Sequence, residues 1–408
     1  MKSKILAVLL FSFTVVAVAF YPTYQSLGQS QGARPPTGVN HPIIPPAVIP
    51  KVVQPKIEVV FALDTTGSMS GLIQAAKEKI WSIASTLAQT QPAPEIKIGL
   101  VAYRDRGDDY VTKVVDLSSD LDRVYATLMD FSAEGGGDGP ESVNKALFDA
   151  VNKISWNSDP KAYKVIFLVG DAPPHMDYLN DVKYPQSVAL AQKKGIVVNA
   201  IQCGGEQETT QKWRQIAQFG QGQFFQVSQD GNAVAINTPY DTKLAELSTK
   251  LDQTRLYYGN TAEKADMERK KDASTKMYAE ASTASQARRA KFNTSASGKT
   301  NLLGSKELVE DVANGSMDLS KIDTAHLPAP LQAMSPPAQK QFVADLAKQR
   351  ETLTREIQTL AEQRDTFIKK KVTEQGGAKD SLDAKIYSAL RDQAEKKGFS
   401  YKAEALDY

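Results

Sequence analysis

Cysteine and histidine are scarce in this sequence, and their scarcity excludes several kinds of site. The 408 residues include one cysteine, Cys203, and three histidines. One cysteine cannot form an intrachain disulfide, and so few thiols and imidazoles cannot build a zinc site of the usual Cys/His type. Because Cys203 follows the apolar run 196–201, we expect a small buried thiol there.

A strong net charge is missing as well. Lysine plus arginine number 49 and aspartate plus glutamate 47, which gives a formal net charge of +2. No overall positive field therefore points to nucleic acid as a partner. The apolar content of 41% and the charged content of 24% are ordinary for a soluble globular protein. A chain of this length is expected to contain two or three domains.

The N-terminal residues have the composition of a targeting segment. Lys2 and Lys4 precede the apolar run 5–20, which is shorter than the ~20 residues that a membrane-spanning helix usually needs. The tripeptide Ala17–Ala19 fits a small-x-small cleavage site. We predict a secretory signal in residues 1–20 that is cleaved after this tripeptide, and leave open an uncleaved membrane anchor. Both predict an exported protein that is periplasmic, secreted or anchored facing outward.

Changes in composition divide the rest of the chain into four parts. Residues 21–55 are rich in proline and predict an extended spacer. Residues 56–235 alternate strand and helix patterns. Residues 236–335 predict helices, with a solvated helix or partial disorder at 260–300, where large apolar groups are few. Residues 336–408 predict a further helical and coiled-coil region.

The alternating part predicts an α/β domain with a doubly wound, mostly parallel sheet. Several of its strands are apolar on both faces, which indicates a sheet covered by helices on both sides. Sheets of this kind bind ligands at the carboxyl ends of their strands. The pattern predicts six strands, at 57–63, 96–103, 110–115, 164–169, 196–201 and 223–227, and five helices, at 70–89, 120–131, 141–154, 185–194 and 209–219.

One long helix is predicted at 342–371, with a heptad repeat of apolar residues. Two arginines occupy positions in this repeat, which is unusual for an apolar seam. We expect the helix to pair in an antiparallel way with the helical segment 382–397, and leave open a coiled coil that would make a homo-oligomer. The repeat consists of Leu346, Leu353, Leu360 and Phe367, with Val343, Arg350, Ile357 and Arg364 as companions.

A first polar loop follows the first predicted strand. Asp64, Thr66 and Ser68 alternate along it, so their oxygens can turn toward one point, and Gly67 permits a sharp turn. Carboxylate and hydroxyl oxygens are ligands of hard cations such as Mg²⁺, and also of Mn²⁺ or Ca²⁺. An alternative is that Thr66 or Ser68 only caps the helix that follows.

Two further loops carry acidic residues at the same end of the predicted sheet. Asp138 lies in a glycine-rich loop, and Asp171 follows the strand 164–169. Glu141 is expected to be only a first-turn carboxylate that interacts with the helix dipole. Asp64, Asp138 and Asp171 would repel one another if they met, and a divalent cation would resolve that conflict.

Other polar residues are expected at the rim of this site. Arg104 and Asp105 follow the second predicted strand, and His175 follows the third loop. A solvated turn is the first interpretation of 104–109, with Arg104 and Asp105 as candidate residues of a ligand-binding rim, and His175 is expected at that rim. A metal-ligand role for His175 is not expected, because oxygen ligands dominate the set.

These three loops, in this order on an α/β pattern, resemble the von Willebrand factor A (VWA) family. The resemblance covers residues 56–235, which are less than half of the chain. It implies a doubly wound sheet with one antiparallel edge strand, at 110–115, and a last domain helix near 241–258. It also implies a metal-ion-dependent adhesion site (MIDAS), with Asp64, Thr66 and Ser68 in its first loop and Asp171 in its third.

The second loop departs from the family pattern. Relatives place a threonine there, whereas this chain offers Asp138 as the nearest candidate. If Asp138 ligates the metal directly, ligand binding is expected to be weaker, or to favour a less acidic group, than in relatives with threonine. An Asp138→Thr variant with unchanged affinity for both metal and partner would refute this hypothesis.

The resemblance implies a binding protein rather than an enzyme. The expected function is adhesion or assembly, in which the cation binds an acidic side chain of a protein partner. One alternative is a structural protein with a vestigial metal site. The other is Mg²⁺-dependent phosphoryl transfer, because the loop at Asp64 is similar to that of haloacid dehalogenase-like phosphatases. That family's second aspartate is replaced here by Thr66.

Overall fold

A six-stranded sheet is the centre of the part of the chain that this computed structural model describes, which is residues 54–137, 139–230, 236–374 and 382–401. Its strand order is β4-β3-β1-β5-β6-β7, and a separate pair joins β2 to β8. In chain order the strands are β1 (Lys56–Asp64), β2 (Thr90–Gln91), β3 (Glu95–Tyr103), β4 (Thr112–Ser118), β5 (Tyr163–Gly170), β6 (Ile196–Cys203), β7 (Gln221–Val227) and β8 (Ser400–Tyr401).

The sheet is parallel except at one edge, where β4 runs antiparallel to β3. β1 lies between β3 and β5, and its residues 57–64 are all buried. Burial of both faces explains why this strand is almost continuously apolar. The predicted doubly wound, mostly parallel six-stranded sheet is confirmed, as is its antiparallel edge strand.

Helices cover both faces of the sheet. Alternate residues of β1 point to opposite faces, so Val59 and Phe61 belong to different apolar clusters from their neighbours Val60 and Ala62. The helices are α1 (Ser70–Leu87), α2 (Leu121–Met129), α3 (Val143–Asn152), α4 (Tyr184–Lys193), α5 (Gln207–Phe219), α6 (Asp241–Gln253), α7 (Thr261–Glu280), α8 (Thr283–Asn293), α9 (Lys299–Leu303), α10 (Leu308–Ala313), α11 (Ala329–Gln332), α12 (Pro336–Glu374) and α13 (Leu382–Glu395).

The segment 260–300 is packed, which corrects our expectation of a solvated helix or partial disorder there. A capping box formed by Asn260 and Glu263 begins α7, and α8 packs against α1 and α6. The composition misled us because much of the buried surface is ionic: Arg288 and Arg289 are fully buried. Paired charges replace the large apolar groups that usually identify a core helix.

The expected antiparallel pair of α12 with the helix at 382–397 is wrong. α12 packs against α6, α8 and α10 instead. The two arginines of the heptad repeat are buried in ion pairs, Arg350 with Glu307 at 2.8 Å and Arg364 with Asp241 at 2.7 Å. The face that we considered for a coiled coil between chains is therefore occupied within the chain.

The helix that completes the sheet comes from the end of the chain. α13 packs on α1 and β7, and Leu382, Ile386 and Leu390 join the apolar cluster of β1 and β5. The helix at 241–258, which the resemblance implied as the last helix of the domain, is α6, and it packs against α8 and α12. That expectation is corrected: the chain makes a long helical excursion before it returns to the sheet.

The predicted signal at 1–20 and all but the last residues of the predicted spacer 21–55 lie outside the described residues. From residue 54 on, the described chain belongs to one compact unit. Among the helices described, none combines the length and the apolar character needed to cross a membrane. Our boundaries at 235 and 335 stay predictions.

Candidate functional site

The sheet brings the first and third predicted loops together. Asp64 is the last residue of β1, and Asp171 follows the end of the neighbouring strand β5. Leu63 pairs with Val169 across these two strands, so the two aspartates leave the sheet side by side. On the other side of β1, Tyr103 at the end of β3 is the partner of Asp64 in the register.

The first loop turns its hydroxyl groups toward Asp64. Asp64 Oδ1 accepts hydrogen bonds from the Thr66 backbone N–H at 2.9 Å and from Thr66 Oγ1 at 2.7 Å. Thr66 Oγ1 lies 3.5 Å from the hydroxyl of Ser68, which is exposed. The alternative that Thr66 or Ser68 caps a helix is not supported, since the helical turn 67–69 has no side-chain cap bond and α1 begins after Met69.

Thr65 fixes this loop to the sheet. Its N–H and its hydroxyl both donate to the carbonyl oxygen of Tyr103 at 2.9 Å, and the hydroxyl lies 2.8 Å from that of Tyr110. Thr65 is buried by these contacts, so the alternation along the loop leaves residues 66 and 68 on the side of Asp64. The spacing Asp-x-Thr-x-Ser therefore places the Thr66 hydroxyl against Asp64 and the Ser68 hydroxyl near that of Thr66, and metal binding by these residues stays a prediction.

The carboxylate of Asp64 is buried and only half satisfied. The residue is fully buried, and its Oδ2 atom accepts no hydrogen bond of normal geometry. Burial raises the pKa of Asp64 to about 7, the Thr66 hydrogen bonds oppose that shift, and the charge of Asp171 adds to it. A buried acceptor without a partner is costly, and a cation is one group that would satisfy it.

Little space remains beside Asp64 on the strand side. A Cβ atom added at Gly170 would lie 2.4 Å from Tyr103 Oη, 2.9 Å from Asp64 Cβ and 3.0 Å from Asp64 Oδ2. Only glycine fits at that point of β5. The Tyr103 hydroxyl donates to the Val169 carbonyl at 3.4 Å, and burial raises the pKa of Tyr103 well above its usual value.

The glycine-rich loop lies against the first loop. The Gly67 N–H donates to the Gly135 carbonyl at 3.2 Å, and Gly135 and Gly136 have φ angles of 76° and 79°. Such positive angles favour glycine. A Cβ at Gly136 would lie 3.3 Å from Thr66 Cβ. The predicted ligand Asp138 lies outside the described residues, so its role stays a prediction.

Glu141 belongs to the site, which corrects its interpretation as a first-turn carboxylate on the helix dipole. α3 begins at Val143, and the Glu141 side chain points to the same glycine as Thr66: a Cβ at Gly136 would lie 3.4 Å from Glu141 Oε1. Burial, followed by the charges of Asp64 and other nearby aspartates, raises its pKa to about 9. Its Oε2 atom is buried without a hydrogen bond.

The backbone of Glu141 joins the second loop to the third. Its N–H donates to the Pro173 carbonyl at 2.9 Å, and its carbonyl accepts from the His175 N–H at 3.1 Å. Nothing in the sequence spacing could have indicated this pairing, because it is a contact between two loops 30 residues apart or more.

Of the three predicted rim residues, Arg104 lies inside the structure. Its Nε donates to the Thr65 carbonyl at 3.1 Å and its Nη2 to the Ser132 carbonyl at 2.9 Å. Arg104 is buried, and it holds the first two loops together instead of forming a rim. Arg104 therefore lies inside the structure, whereas the sequence interpretation considered it as a candidate rim residue.

Asp105 and His175 lie together beside Glu141. Asp105 Oδ1 accepts from Ser142 Oγ at 2.9 Å, and Asp105 Oδ2 lies 3.3 Å from His175 Nε2. Tyr178, which the sequence did not single out, donates to Asp105 Oδ2 at 2.6 Å and stacks on the His175 ring at 3.9 Å. Both predicted residues are thus buried parts of a network next to the site.

Asp171 has a partner that sequence analysis missed. Gln229, in the loop after β7, donates to Asp171 Oδ2 at 2.6 Å and to the Ser68 carbonyl at 3.2 Å. This one amide therefore contacts both predicted metal loops. No sequence signal marks it, because a glutamine in a loop is common and its contacts are all distant along the chain.

The donor set fits a hard cation held by mixed oxygen ligands. The orphaned Oδ2 of buried Asp64, the two hydroxyls of Thr66 and Ser68, and Asp171 lie on neighbouring loops. No group of three or more acidic, histidine or cysteine side chains among the described residues is arranged to hold a metal ion by itself. Hydroxyl oxygens would therefore have to supply part of any coordination shell.

Comparisons with known proteins match part of this chain to a family. Residues 58–238 match the family model described as a von Willebrand factor A domain. A putative ariadne-like RING finger protein of Acanthamoeba polyphaga mimivirus is 26% identical over 122 residues, 30% of this chain and 12% of that protein. An alpha-protein kinase of Dictyostelium discoideum is also 26% identical over 122 residues, 29% of this chain and 19% of that protein. This chain spans less than a fifth of either relative.

A similar solved structure is that of proximal thread matrix protein 1 from the mussel byssus, with a zinc-occupied MIDAS motif. The aligned regions are 18% identical and cover 43% of this chain and 43% of the byssus protein. The TM-score is 0.34. The family model and the observed strand order agree on the same part of the chain. Residues 58–238 therefore form a von Willebrand factor A domain.

Proposed function

We propose that this VWA domain binds a protein partner through a divalent cation held at the carboxyl end of its sheet. VWA domains commonly mediate interactions between proteins, and the oxygen-rich loops here converge at the end of the sheet where α/β folds bind ligands. The cation would be Mg²⁺, or Mn²⁺ or Ca²⁺, and the partner would contribute an acidic side chain.

The observation that carries this proposal is the unsatisfied carboxylate of Asp64. Its Oδ1 atom is held by Thr66, whereas its buried Oδ2 atom accepts no hydrogen bond of normal geometry from the described residues. Asp64 makes no ion pair within the described residues. Buried carboxylates are normally paired with a cation, so a site that lacks a basic side chain at this point is suited to a metal ion.

Each of the other residues has a defined task in this proposal. Thr66 and Ser68 supply hydroxyl oxygens, Asp171 supplies a carboxylate from the neighbouring strand end, and Asp138 is the fifth expected contributor. A bound divalent cation supplies a positive centre for an acidic group of the partner. Gln229 holds Asp171 and the backbone of Ser68 in place.

Binding, rather than catalysis, is the activity we propose. A nucleophilic aspartate must reach its substrate, but the carboxylate of Asp64 is fully buried and one of its oxygens is held by two hydrogen bonds. This environment supports a structural role for Asp64 in holding a cation and gives no support to phosphoryl transfer.

We propose further that the chain acts outside the cytoplasm. The support is the sequence of residues 1–20, with Lys2 and Lys4 before an apolar run and a cleavage site at Ala17–Ala19. Mass spectrometry of the protein recovered from the exporting cell should find a mature chain that begins at Phe20. An intact N-terminus in the cytoplasmic fraction would refute export.

Isothermal titration calorimetry with Mn²⁺ and Mg²⁺ tests the metal site. Ser68→Ala should weaken metal binding by about ten-fold or more, which corresponds to the loss of about 1.4 kcal/mol. Ser70→Ala is the matched control, because Ser70 is also exposed and begins α1 without contacting Asp64. Both variants should keep the unfolding temperature of the metal-free wild type.

If the metal titration of the wild type released no heat and the metal did not shift the unfolding temperature, the result would favour a structural protein with a vestigial metal site. Equal metal affinity of the Ser68 variant and the wild type would remove this residue from the ligand set.

A further inference from the structure

The loop that follows Asp171 exposes an unusual set of apolar side chains. Among the residues that the structure describes, four large apolar side chains are exposed, and three of them lie on this loop. Met176 is 40% exposed, Val182 38%, and Leu179 93%. We call these three residues the apolar rim. Because large apolar side chains are usually scattered singly on a surface, three on one loop need an explanation.

The apolar rim is carried by a fixed loop rather than a loose one. Tyr178, next to Leu179, stacks on His175 at 3.9 Å and donates to Asp105 at 2.6 Å. The Arg106 guanidinium lies 4.0 Å from the centre of the Tyr178 ring and pairs with Asp181 at 2.6 Å. The aromatic ring at the centre of the loop is therefore held by contacts with both the His175 ring and the Arg106 guanidinium.

Both ends of the loop are fixed as well. Asn144 of α3 donates to the His175 carbonyl at 2.6 Å and accepts from the Tyr184 N–H at 2.7 Å, so it ties the first residue of the loop to the start of α4. Lys183 donates to the Tyr178 carbonyl at 2.5 Å. A loop held at both ends and at its centre cannot easily fold its own apolar side chains inward.

The apolar rim follows the third loop of the candidate cation site along the chain. His175, the residue before Met176, donates its backbone N–H to Glu141, whose side chain faces the first loop. Met176 is five residues from Asp171, so its Cα lies no more than about 18 Å away even along a fully extended chain. One partner can therefore cover both, because a typical interface involves about 20–30 residues on each side.

We propose that the apolar rim is the second half of the partner site: it receives a large apolar side chain of the protein that presents an acidic group to the cation. This inference rests on the proposed function. The partner is then a protein segment with an aspartate or glutamate and a leucine, methionine or aromatic residue a few positions away. Fixed loops favour such binding, because little side-chain and backbone freedom is lost on association.

The pairing of one ion with one apolar surface also explains how the site would select partners. Acidic groups are common on protein surfaces, so a cation that binds only an acidic group would distinguish poorly between partner proteins. An apolar contact beside it adds affinity only for segments with the right spacing.

Selection from a phage-displayed library of random peptides tests the inference. The full chain is incubated with the library in Mg²⁺, and bound phage are eluted with EDTA. The expected peptides carry an acidic residue with a large apolar residue a few positions away. A synthetic peptide of this kind should bind Leu179→Ser about ten-fold more weakly than the wild type, the loss expected for one buried leucine contact.

Phe219→Ser is the matched control. Phe219 is the fourth exposed large apolar residue, at 45%, but it ends α5 just before β7 begins, at the opposite end of the sheet. The Phe219→Ser variant should bind the peptide with the same affinity as the wild type. Leu179 is almost fully exposed, so its variant should keep the wild-type unfolding temperature.

The outcomes separate the inference from the proposed function. Peptides that elute with EDTA but bind Leu179→Ser as tightly as the wild type would overturn the apolar rim and leave the metal-dependent site standing. A selection that yields no EDTA-eluted peptide would overturn the proposed function and the inference together.

Discussion

At the scale of single residues, the centre of the candidate site is a buried carboxylate that is tightly packed by its neighbours. Asp64 is enclosed by Tyr103 on β3 and by Gly170 on β5, where even a methyl group would collide. Its Oδ1 atom is held by Thr66, and its Oδ2 atom accepts no hydrogen bond of normal geometry within the described part of the chain. Such close packing fixes the position of an oxygen that would bind a cation, which is a requirement for selective coordination.

Gly170→Ala is therefore expected to damage the site. The added Cβ would displace Tyr103 Oη, 2.4 Å away, and Asp64 Cβ, 2.9 Å away. The free energy of unfolding should fall by about 1–3 kcal/mol, as for other overpacked cores. Mn²⁺ affinity measured by calorimetry should fall in parallel, because Asp64 moves.

The control is Gly205→Ala at the end of β6, where a Cβ would make only an ordinary contact of 3.5 Å with Gln226. It should change neither stability nor metal affinity. If Gly170→Ala bound Mn²⁺ as tightly as the wild type, Asp64 would not be a ligand whose position matters.

The residues of the site that the sequence could predict are those that follow strands directly. Asp64 and Asp171 were identifiable because parallel strands end at one edge, and Thr66 and Ser68 because they alternate after Asp64. Glu141 and Gln229 were not, because they reach the site through contacts between loops. The burial of Arg104 could not be predicted either, since a charged residue in a polar turn gives no sign that its guanidinium points inward to two carbonyl groups.

At the scale of elements, the VWA domain is completed by a helix from the far end of the sequence. α13 covers the face of the sheet beside α1, and its Gln393 donates to Asn199 Oδ1 at 2.7 Å and accepts from the Tyr163 hydroxyl at 2.8 Å. β8 then pairs with β2. The part of the chain that matches the family therefore depends on a segment more than 140 residues beyond its end.

Leu390→Ala should destabilise the whole domain. Leu390 is fully buried in the cluster that includes Phe61 and Ile80, so its truncation leaves a cavity in the main core. We expect the free energy of unfolding in urea to fall by about 2–5 kcal/mol. Tryptophan fluorescence should report one shared transition, because Trp81 lies in the same cluster and the chain has only two other tryptophans.

Leu360→Ala on α12 is the matched control, since Leu360 is only half-buried and its cluster is separate from the main core. Its effect should be clearly smaller. A Leu390 variant as stable as the wild type would mean that α13 is not part of the core of the domain.

The positions of the helices could be predicted from the sequence more easily than the elements against which each helix packs. The heptad repeat of α12 correctly indicated one long helix with a buried face, and Val343 and Ile357 are indeed buried. The repeat says nothing about which helices cover that face. Arg350 and Arg364 in the repeat indicate that the covering helices carry carboxylates. Carboxylates are too numerous in this sequence to show which ones form the two ion pairs.

At the scale of the whole molecule, buried charges join the helical region to the VWA domain. Asp122 of α2 forms a bidentate ion pair with Arg289 of α8, both distances being 2.6 Å, and accepts from Ser274 of α7 at 2.9 Å. All three residues are buried, and Arg289 also pairs with Asp252 of α6 at 2.9 Å. Asp122 thus contacts α7 and α8 directly, and it is linked to α6 through Arg289. Buried ion pairs as well as apolar packing therefore hold the helical region against the VWA domain.

Asp122→Asn is expected to be strongly destabilising, because it leaves the buried Arg289 guanidinium with a weakened partner. Removal of one member of a buried pair typically costs about 3–5 kcal/mol in the free energy of unfolding. Asp266→Asn is the control, since Asp266 forms a surface pair with Arg123 at 3.1 Å. That variant should lose no more than about 1 kcal/mol.

The pH dependence of unfolding gives a second, independent test of the same pair. Although burial acts to raise it, the charge and hydrogen bonds of Arg289 and the charge of Lys270 hold the pKa of Asp122 well below its usual range. Because the folded-state pKa is depressed, this contribution to stability is present above the unfolded-state pKa of about 3.9 and is lost as the pH falls below it. The gap in unfolding free energy between the wild type and Asp122→Asn should therefore be constant from pH 6 to 8 and shrink below about pH 4, because the unfolded wild type then binds a proton at Asp122 that the folded wild type does not bind. Urea titrations across this range measure the gap directly, and a gap that stayed constant down to pH 3 would mean that Asp122 is not the charged partner that fastens α7 and α8 to the VWA domain.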